Sequence, residues 1–310
     1  MPKTFTRIAL NGPVMGTRWS AVFYSTDSDH SALQAALGDA VARVDAQMST
    51  WQPDSDLMRF NRAPVGDWFA VQTEFLEVVQ LGLAIGQASG GAFDIGMGDA
   101  VQAWGFGPAA PDRAAIIAAM AEQRRPAPQV IAVDEVTRQI KKRSAIALDL
   151  NGIAKGYAVD RMVAVLQQFG IAAGLCGLDG ELRGFGLQPD GRPWRVAVER
   201  PDIGQRAAEA MLELHDASVA TSGDYRHWVD VGDRRLSHTM DPLKGGPLPN
   251  SPASVTVLAE TCAEADAWAT AMMVLGPEAG SKLALRHGLS VLFLTRTVDG
   301  FQQAGVGAFA

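Results

Sequence analysis

His238 lies in the stretch Leu236-Ser237-His238-Thr239-Met240-Asp241-Pro242, and three distant clusters carry side chains suited to the same kind of ligand. They are Ala92-Phe93-Asp94, Asp149-Leu150-Asn151-Gly152-Ile153-Ala154-Lys155-Gly156 and Asp266-Ala267-Trp268-Ala269-Thr270. An imidazole exchanges a proton near neutral pH, although a lone histidine beside a turn is ordinarily just surface. Four clusters that each make sense around a metal ion and a diphosphate weigh against that plainer reading.

Asp266 and Thr270 are four residues apart on a predicted helix, so their side chains share one face. A carboxylate and a hydroxyl placed that way offer two oxygen ligands to a hard cation such as Mg²⁺, which completes its shell with water and substrate phosphates. The alternative is a polar helix face on which an early aspartate suits the dipole. Asp149 is expected to close a buried strand, with Gly152 in the following turn. Lys155 would stand in the first turn of the next helix, whose free N–H groups suit an anion. The Walker pattern of glycines and a hydroxyl after lysine is missing, so an ordinary strand–turn–helix fits equally well. Trp51, Met15, Phe93 and the Trp104-Gly105-Phe106-Gly107-Pro108 stretch could face a flat ring, or could equally be core and loop packing.

These residues need a scaffold. Leu33, Leu37, Val41, Val44 and Met48 repeat at steps of three and four and predict a helix over 31–48. Further helices are expected at 74–88, closed by Gly90-Gly91, at 112–123, capped by Asp112, and at 154–169, ended by Gly170. Thr261-Cys262-Ala263-Glu264 fits a capping box that opens the helix carrying Asp266 and Thr270. Strands are predicted at 19–24, 146–150, 194–199, 218–221, 253–258 and 289–295. Hairpin signals mixed with strand–helix crossovers imply an α+β fold of mixed, largely antiparallel sheets with packed helices. No linker divides the chain, so residues 1–310 read as a single domain, with two intertwined subdomains as the alternative.

At 310 residues, 47% of them hydrophobic, the chain can bury a substantial core. A net charge of −7 and the absence of a dense basic run argue against nucleic-acid binding. Cys176 and Cys262 form neither a disulfide framework nor a zinc motif and are expected as core thiols. No window approaches the ~20 apolar residues of a membrane span. The first 20 residues lack a signal-peptide pattern. A cytoplasmic location is the expectation, with the periplasm as the alternative if a leader has been removed.

Taken in order, seven segments resemble the ApbE family of FAD:protein FMN transferases. They are Met15-Gly16-Thr17, 49–61, Gly91-Ala92-Phe93-Asp94 with 104–108, 149–160, Ala220-Thr221-Ser222-Gly223-Asp224-Tyr225, 237–242 and 265–270. The resemblance implies Mg²⁺-dependent cleavage of FAD at its diphosphate. The FMN part would pass to a threonine or serine hydroxyl of an acceptor flavoprotein, with release of AMP. It further implies FAD contacts at Met15, Trp51, Ala92, Phe93, Asp94, Asp149, Lys155 and Met240. Mg²⁺ would be held by Asp266, Thr270 and the Gly152 backbone carbonyl, and His238 would be the functional histidine, as general base or through a covalent intermediate. Leu178-Asp179-Gly180-Glu181 departs from the family's glycine pair, Thr239-Met240 from its β-branched pair, and Leu243-Lys244-Gly245-Gly246 from its usual turn after Asp241-Pro242. Two rival readings use the same residues: an FAD pyrophosphatase releasing FMN and AMP, and a non-catalytic FAD-binding protein.

Overall fold

Period-two alternation is clearest at Thr17–Ser25, where Trp19, Ala21 and Phe23 turn inward between more exposed neighbours. In the computed structural model, which describes residues 5–202, 207–224, 228–231, 234–249 and 251–310, this segment is a strand of an eight-stranded sheet. The strands are β1 (Thr6–Val14), β2 (Thr17–Ser25), β6 (Gly174–Leu178), β7 (Glu181–Phe185), β10 (Ala217–Gly223), β15 (Ser254–Ala259), β16 (Ser290–Thr297) and β17 (Gly300–Val306). They lie side by side in that order, and every neighbouring pair is antiparallel. Smaller sheets flank it. β3 (Trp68–Ala70), β5 (Gln139–Lys142) and β4 (Ile131–Asp134) form one, in that order. The pairs are β8 (Trp194–Glu199) with β9 (Ala208–Leu214), β11 (Trp228–Val231) with β12 (Arg234–Ser237), and β13 (Met240–Asp241) with β14 (Gly246–Pro247).

Three helices pack together against the main sheet: α1 (Ser31–Met48), α7 (Ala154–Gln168) and α8 (Cys262–His287), with α7 touching both of the others. The predicted apolar stripe of α1 is buried from Leu33 to Met48. α8 begins with the expected capping box and bends at Gly276, whose φ of 70° breaks the helix before Pro277. The shorter helices are α2 (Asp56–Arg62), α3 (Thr73–Ala88), α4 (Gly98–Ala103), α5 (Arg113–Ala121) and α6 (Ala127–Val130). Asp112 caps α5 by accepting from the Ala114 and Ala115 N–H groups. Both cysteines are buried and free. The fold is therefore α+β with antiparallel sheets, as the sequence pattern implies.

One element differs from expectation. Residues 146–150 are extended but pair with no strand. Asn61 receives the Leu148 N–H and donates to the Leu148 carbonyl, while Ala147 and Asp149 bond to the backbone of Gly98 and Ile95. A side-chain amide and a neighbouring loop thus satisfy a backbone that would otherwise need a sheet. Apolar alternation cannot separate the two arrangements.

α7 and α8 meet closest at Gly156. A β-carbon there would stand 2.2 Å from the Cys262 carbonyl oxygen, and backbone cannot move aside cheaply. Gly156→Ala is expected to cost about 3 kcal/mol or more, read as a lower urea midpoint at unchanged slope.

Candidate functional site

At that crossing each helix start is closed by an aspartate borne on the other helix. Asp160 of α7 accepts the Cys262 and Ala263 N–H groups of α8, both at 2.9 Å. Asp266 of α8 accepts the Gly156 N–H of α7 at 3.0 Å. The first-turn N–H groups of a helix lack internal partners, so a carboxylate satisfies them and complements the dipole. Arg183 of β7 pairs with Asp160.

Asp266 is buried, and burial, then the nearby Glu181 charge, push its carboxyl well above the ordinary range; Lys155 and the Gly156 N–H offset this in part. A cation at Asp266 would favour the ionised form. Thr270 lies one turn later on the same face, with Ser222 Oγ of β10 3.4 Å from its hydroxyl. A β-carbon at Gly152 would fall 3.0 Å from Thr270 Oγ1 and 3.3 Å from Phe93 Cε2, so glycine leaves the space open that a side chain would fill. The donors gathered here are a carboxylate, a hydroxyl and a backbone carbonyl, all hard oxygens suited to Mg²⁺. Among the described residues, no group of three or more His, Cys, Asp or Glu side chains is arranged to hold a metal. The Asp266–Thr270–Gly152 set contains a single carboxylate and is of a different kind.

Lys155, in the first turn of α7, pairs with Asp179 at 2.8 Å. Burial opposes its charge, but Glu181 first and Asp179 next outweigh that and hold its pKa above the usual lysine value. Asp179 and Gly180 form the two-residue turn between β6 and β7, with Asp179 at φ 60°. The departure from the family's glycine pair therefore places an acidic side chain, Asp179, on Lys155, with buried Glu181 beside it. Asp160, Glu181 and Ser222 were not singled out as site residues from sequence. An Asp-Gly pair between apolar runs is a hairpin signal, and it alone could have pointed to Asp179.

Asp149 accepts from the backbone N–H and side-chain amide of Asn151 at 2.9 and 2.8 Å. Asp94 binds the Gly96 and Ala127 N–H groups, holding its own loop and the start of α6. Ala92 and Phe93 are buried, and Phe93 forms one wall of the gap at Gly152.

His238 belongs to a second group. It follows β12, and its ring lies 6.3 Å from that of Phe106, centre to centre. Met240 is buried among Met97, Ala100, Ala103 and Ala119, with Trp104 and Phe106 against them. Trp104 donates its indole N–H to the Gly245 carbonyl at 3.2 Å, fixing the turn that follows His238. The two groups share one backbone segment. Ile95 and Gly98 bond to Asp149 and Ala147, and Gly98 opens α4, beneath Met240.

Met15 and Gly16 form the two-residue turn of the β1–β2 hairpin at φ 47° and 70°, a type I′ conformation. Methionine in that region is strained, and such strain collects where ligands bind. Trp51 stands in the loop after α1 with 64% of its surface exposed. Tyr225, in the motif 220–225, lies outside the described residues.

The scaffold is antiparallel α+β, and beside the start of α7 it sets Gly152 against the Thr270 hydroxyl of α8. Residues 15–293 match the family model described as "ApbE family". The Vibrio cholerae "FAD:protein FMN transferase" is 35% identical, over 99% of this chain and 93% of its own length. The protein of that name from Escherichia coli K12 is also 35% identical, over 94% and 85%. The apo crystal structure of the Pseudomonas stutzeri flavinyl transferase ApbE superposes with a TM-score of 0.86 at 36% identity, covering 98% of this chain and 96% of that one. The Vibrio cholerae flavin transferase ApbE gives 0.86 at 34%, covering 99% of both. The chain belongs to the ApbE family.

Burial raises the Asp149 carboxyl from 3.8 to about 6, against the opposing Asn151 hydrogen bonds. Between those values the folded chain keeps a proton that the unfolded chain releases, so stability falls as pH rises through the window. Without ligands, Asp149→Asn is expected to be more stable than the parent at pH 7, by up to ~3 kcal/mol, and to converge with it near pH 4. Urea denaturation at the two pH values measures this.

Proposed function

We propose that this protein transfers the FMN part of FAD to a threonine or serine hydroxyl of an acceptor flavoprotein, releases AMP and requires Mg²⁺. Membership of the ApbE family supports the transfer. The observation that carries the detailed reading is the gap at Gly152, bounded by the Thr270 hydroxyl on the helix that also bears buried Asp266.

When bound by Asp266, Thr270 and the Gly152 carbonyl, Mg²⁺ would neutralise charge on the diphosphate and on the departing AMP. Lys155, kept protonated by Glu181 and Asp179, supplies a fixed positive charge at the start of α7. That charge is suited to a phosphate oxygen. Met15, Trp51, Ala92, Phe93, Asp94, Asp149 and Met240 would line the path of FAD, with the exposed Trp51 ring available for stacking.

A hydroxyl is a poor nucleophile at its own pKa and needs a base within reach. In our reading, the acceptor oxygen attacks the FMN phosphorus while an imidazole nitrogen of His238 takes its proton. The new oxygen–phosphorus bond forms as the bond to the AMP oxygen breaks. AMP departs with that bonding pair. Among the described residues no helix is long and apolar enough to cross a membrane.

His238→Ala is expected to bind FAD normally and to lose at least ~10²-fold in transfer, the scale of a positioned base. Asp266→Ala is expected to lose the Mg²⁺ dependence of FAD binding as well as activity. Mass spectrometry of a threonine-bearing flavoprotein incubated with FAD and Mg²⁺ reads transfer by both variants, and flavin fluorescence titration with and without Mg²⁺ reads FAD binding. Transfer at the parent rate by His238→Ala would remove it from the mechanism. Free FMN and AMP beside an unmodified acceptor would favour hydrolysis.

A further inference from the structure

α5 is an apolar helix with little to pack against. Of its nine residues only Arg113 is polar, yet only Ala119 is buried. Helices with so little polar surface are normally enclosed, because their outer face has no reason to prefer water. Here the inner face packs through Ala115, Ile116 and Ala119 on the cluster holding Met240 and Phe106. The outer face leaves Ile117 and Met120 59% and 53% exposed.

The patch continues onto the loop that carries His238. Gly245 lies so close to the C-terminal half of α5 that a β-carbon on it would come within 2.2 Å of the Ala119 carbonyl. Two residues before Gly245, Leu243 is 87% exposed. The turn presenting it is held rigidly: Asp241 accepts from the Leu243 N–H at 3.0 Å, and Trp104 holds the Gly245 carbonyl. A fixed turn that displays a leucine beside an uncovered apolar helix forms a small preorganised binding surface.

We infer that Ile117, Met120 and Leu243 form the docking surface for the acceptor protein, which places apolar side chains near its modified threonine on them. The inference rests on the transferase reading above and on His238 as its base. That chemistry decides the occupant. The acceptor hydroxyl must reach the phosphorus beside His238, so the acceptor chain has to cover the loop from His238 to Gly245. Leu243 stands on that loop, and Ile117 and Met120 stand on the helix that Gly245 of the same loop touches. Ile117 and Met120 lie on the outer face of α5, away from the cluster that holds Met240.

The test compares the parent with Ile117→Asp, Met120→Asp, Leu243→Asp and the triple variant, using a purified threonine-bearing flavoprotein that the parent loads with FMN. All three positions are exposed, and unchanged thermal melting checks folding. For the triple variant the KM for the acceptor is expected to rise about tenfold or more, the scale of losing a small apolar hot spot. FAD affinity, acceptor-free FAD hydrolysis and kcat at saturating acceptor are expected to stay at parent values. A parental KM in the triple variant overturns the proposal. So does a parent dimer, seen by light scattering, that the triple variant dissociates without a change in KM; the patch would then belong to a second copy. If the parent releases FMN and loads no acceptor, the transferase reading fails and the docking surface falls with it.

Discussion

Two helix starts, each closed by an aspartate of the other helix, hold this structure's chemistry in place. Asp160 reaches across to α8, and Asp266 reaches back to α7. Neither bond can form unless the helices approach to backbone contact, and Gly156 is the residue that permits it. Once they do, Thr270 on α8 comes against Gly152 in the turn that leads into α7. The main sheet and α1 set where the pair lies; the crossed caps set how its atoms face one another.

The same crossing gathers charge that burial opposes. Asp160, Glu181 and Asp266 all titrate above ordinary carboxylates, with burial the largest cause for each. Arg183 and Lys155 lower that cost without abolishing it. Carboxylates buried beside too few positive charges are a poor way to stabilise a fold. A cation would offset the excess around Asp266, which fits our proposal of a Mg²⁺ site there.

Local pattern made much of this visible in the sequence. The stripe from Leu33 to Met48, the Asp112 cap and the Thr261–Glu264 capping box each depend on residues a few positions apart, and each forms as read. The segment 146–150 misleads because its partner is an amide 87 residues away, not a strand. Asp160 and Glu181 escape for the same reason, since one caps a helix about a hundred residues downstream and the other gains meaning only beside Lys155. His238, Asp266 and Thr270 stood out through their resemblance to family motifs. Nothing in their local spacing separates a ligand from a polar helix face.

The crossed caps also set a timetable. Asp160 and Cys262 are 102 residues apart in the chain, and Gly156 and Asp266 are 110 apart. Contacts of such range close late, because the entropy of bringing distant segments together must be met before they reward it. While the chain is being synthesised, the loops carrying Met15, Phe93 and Asp149 and the whole of α7 leave the ribosome well before α8. Until α8 arrives, the start of α7 lacks its aspartate and the gap at Gly152 lacks a wall. The arrangement of Asp266 and Thr270 against the start of α7 is thus completed in one late docking step, and a chain cut short before α8 would lack it.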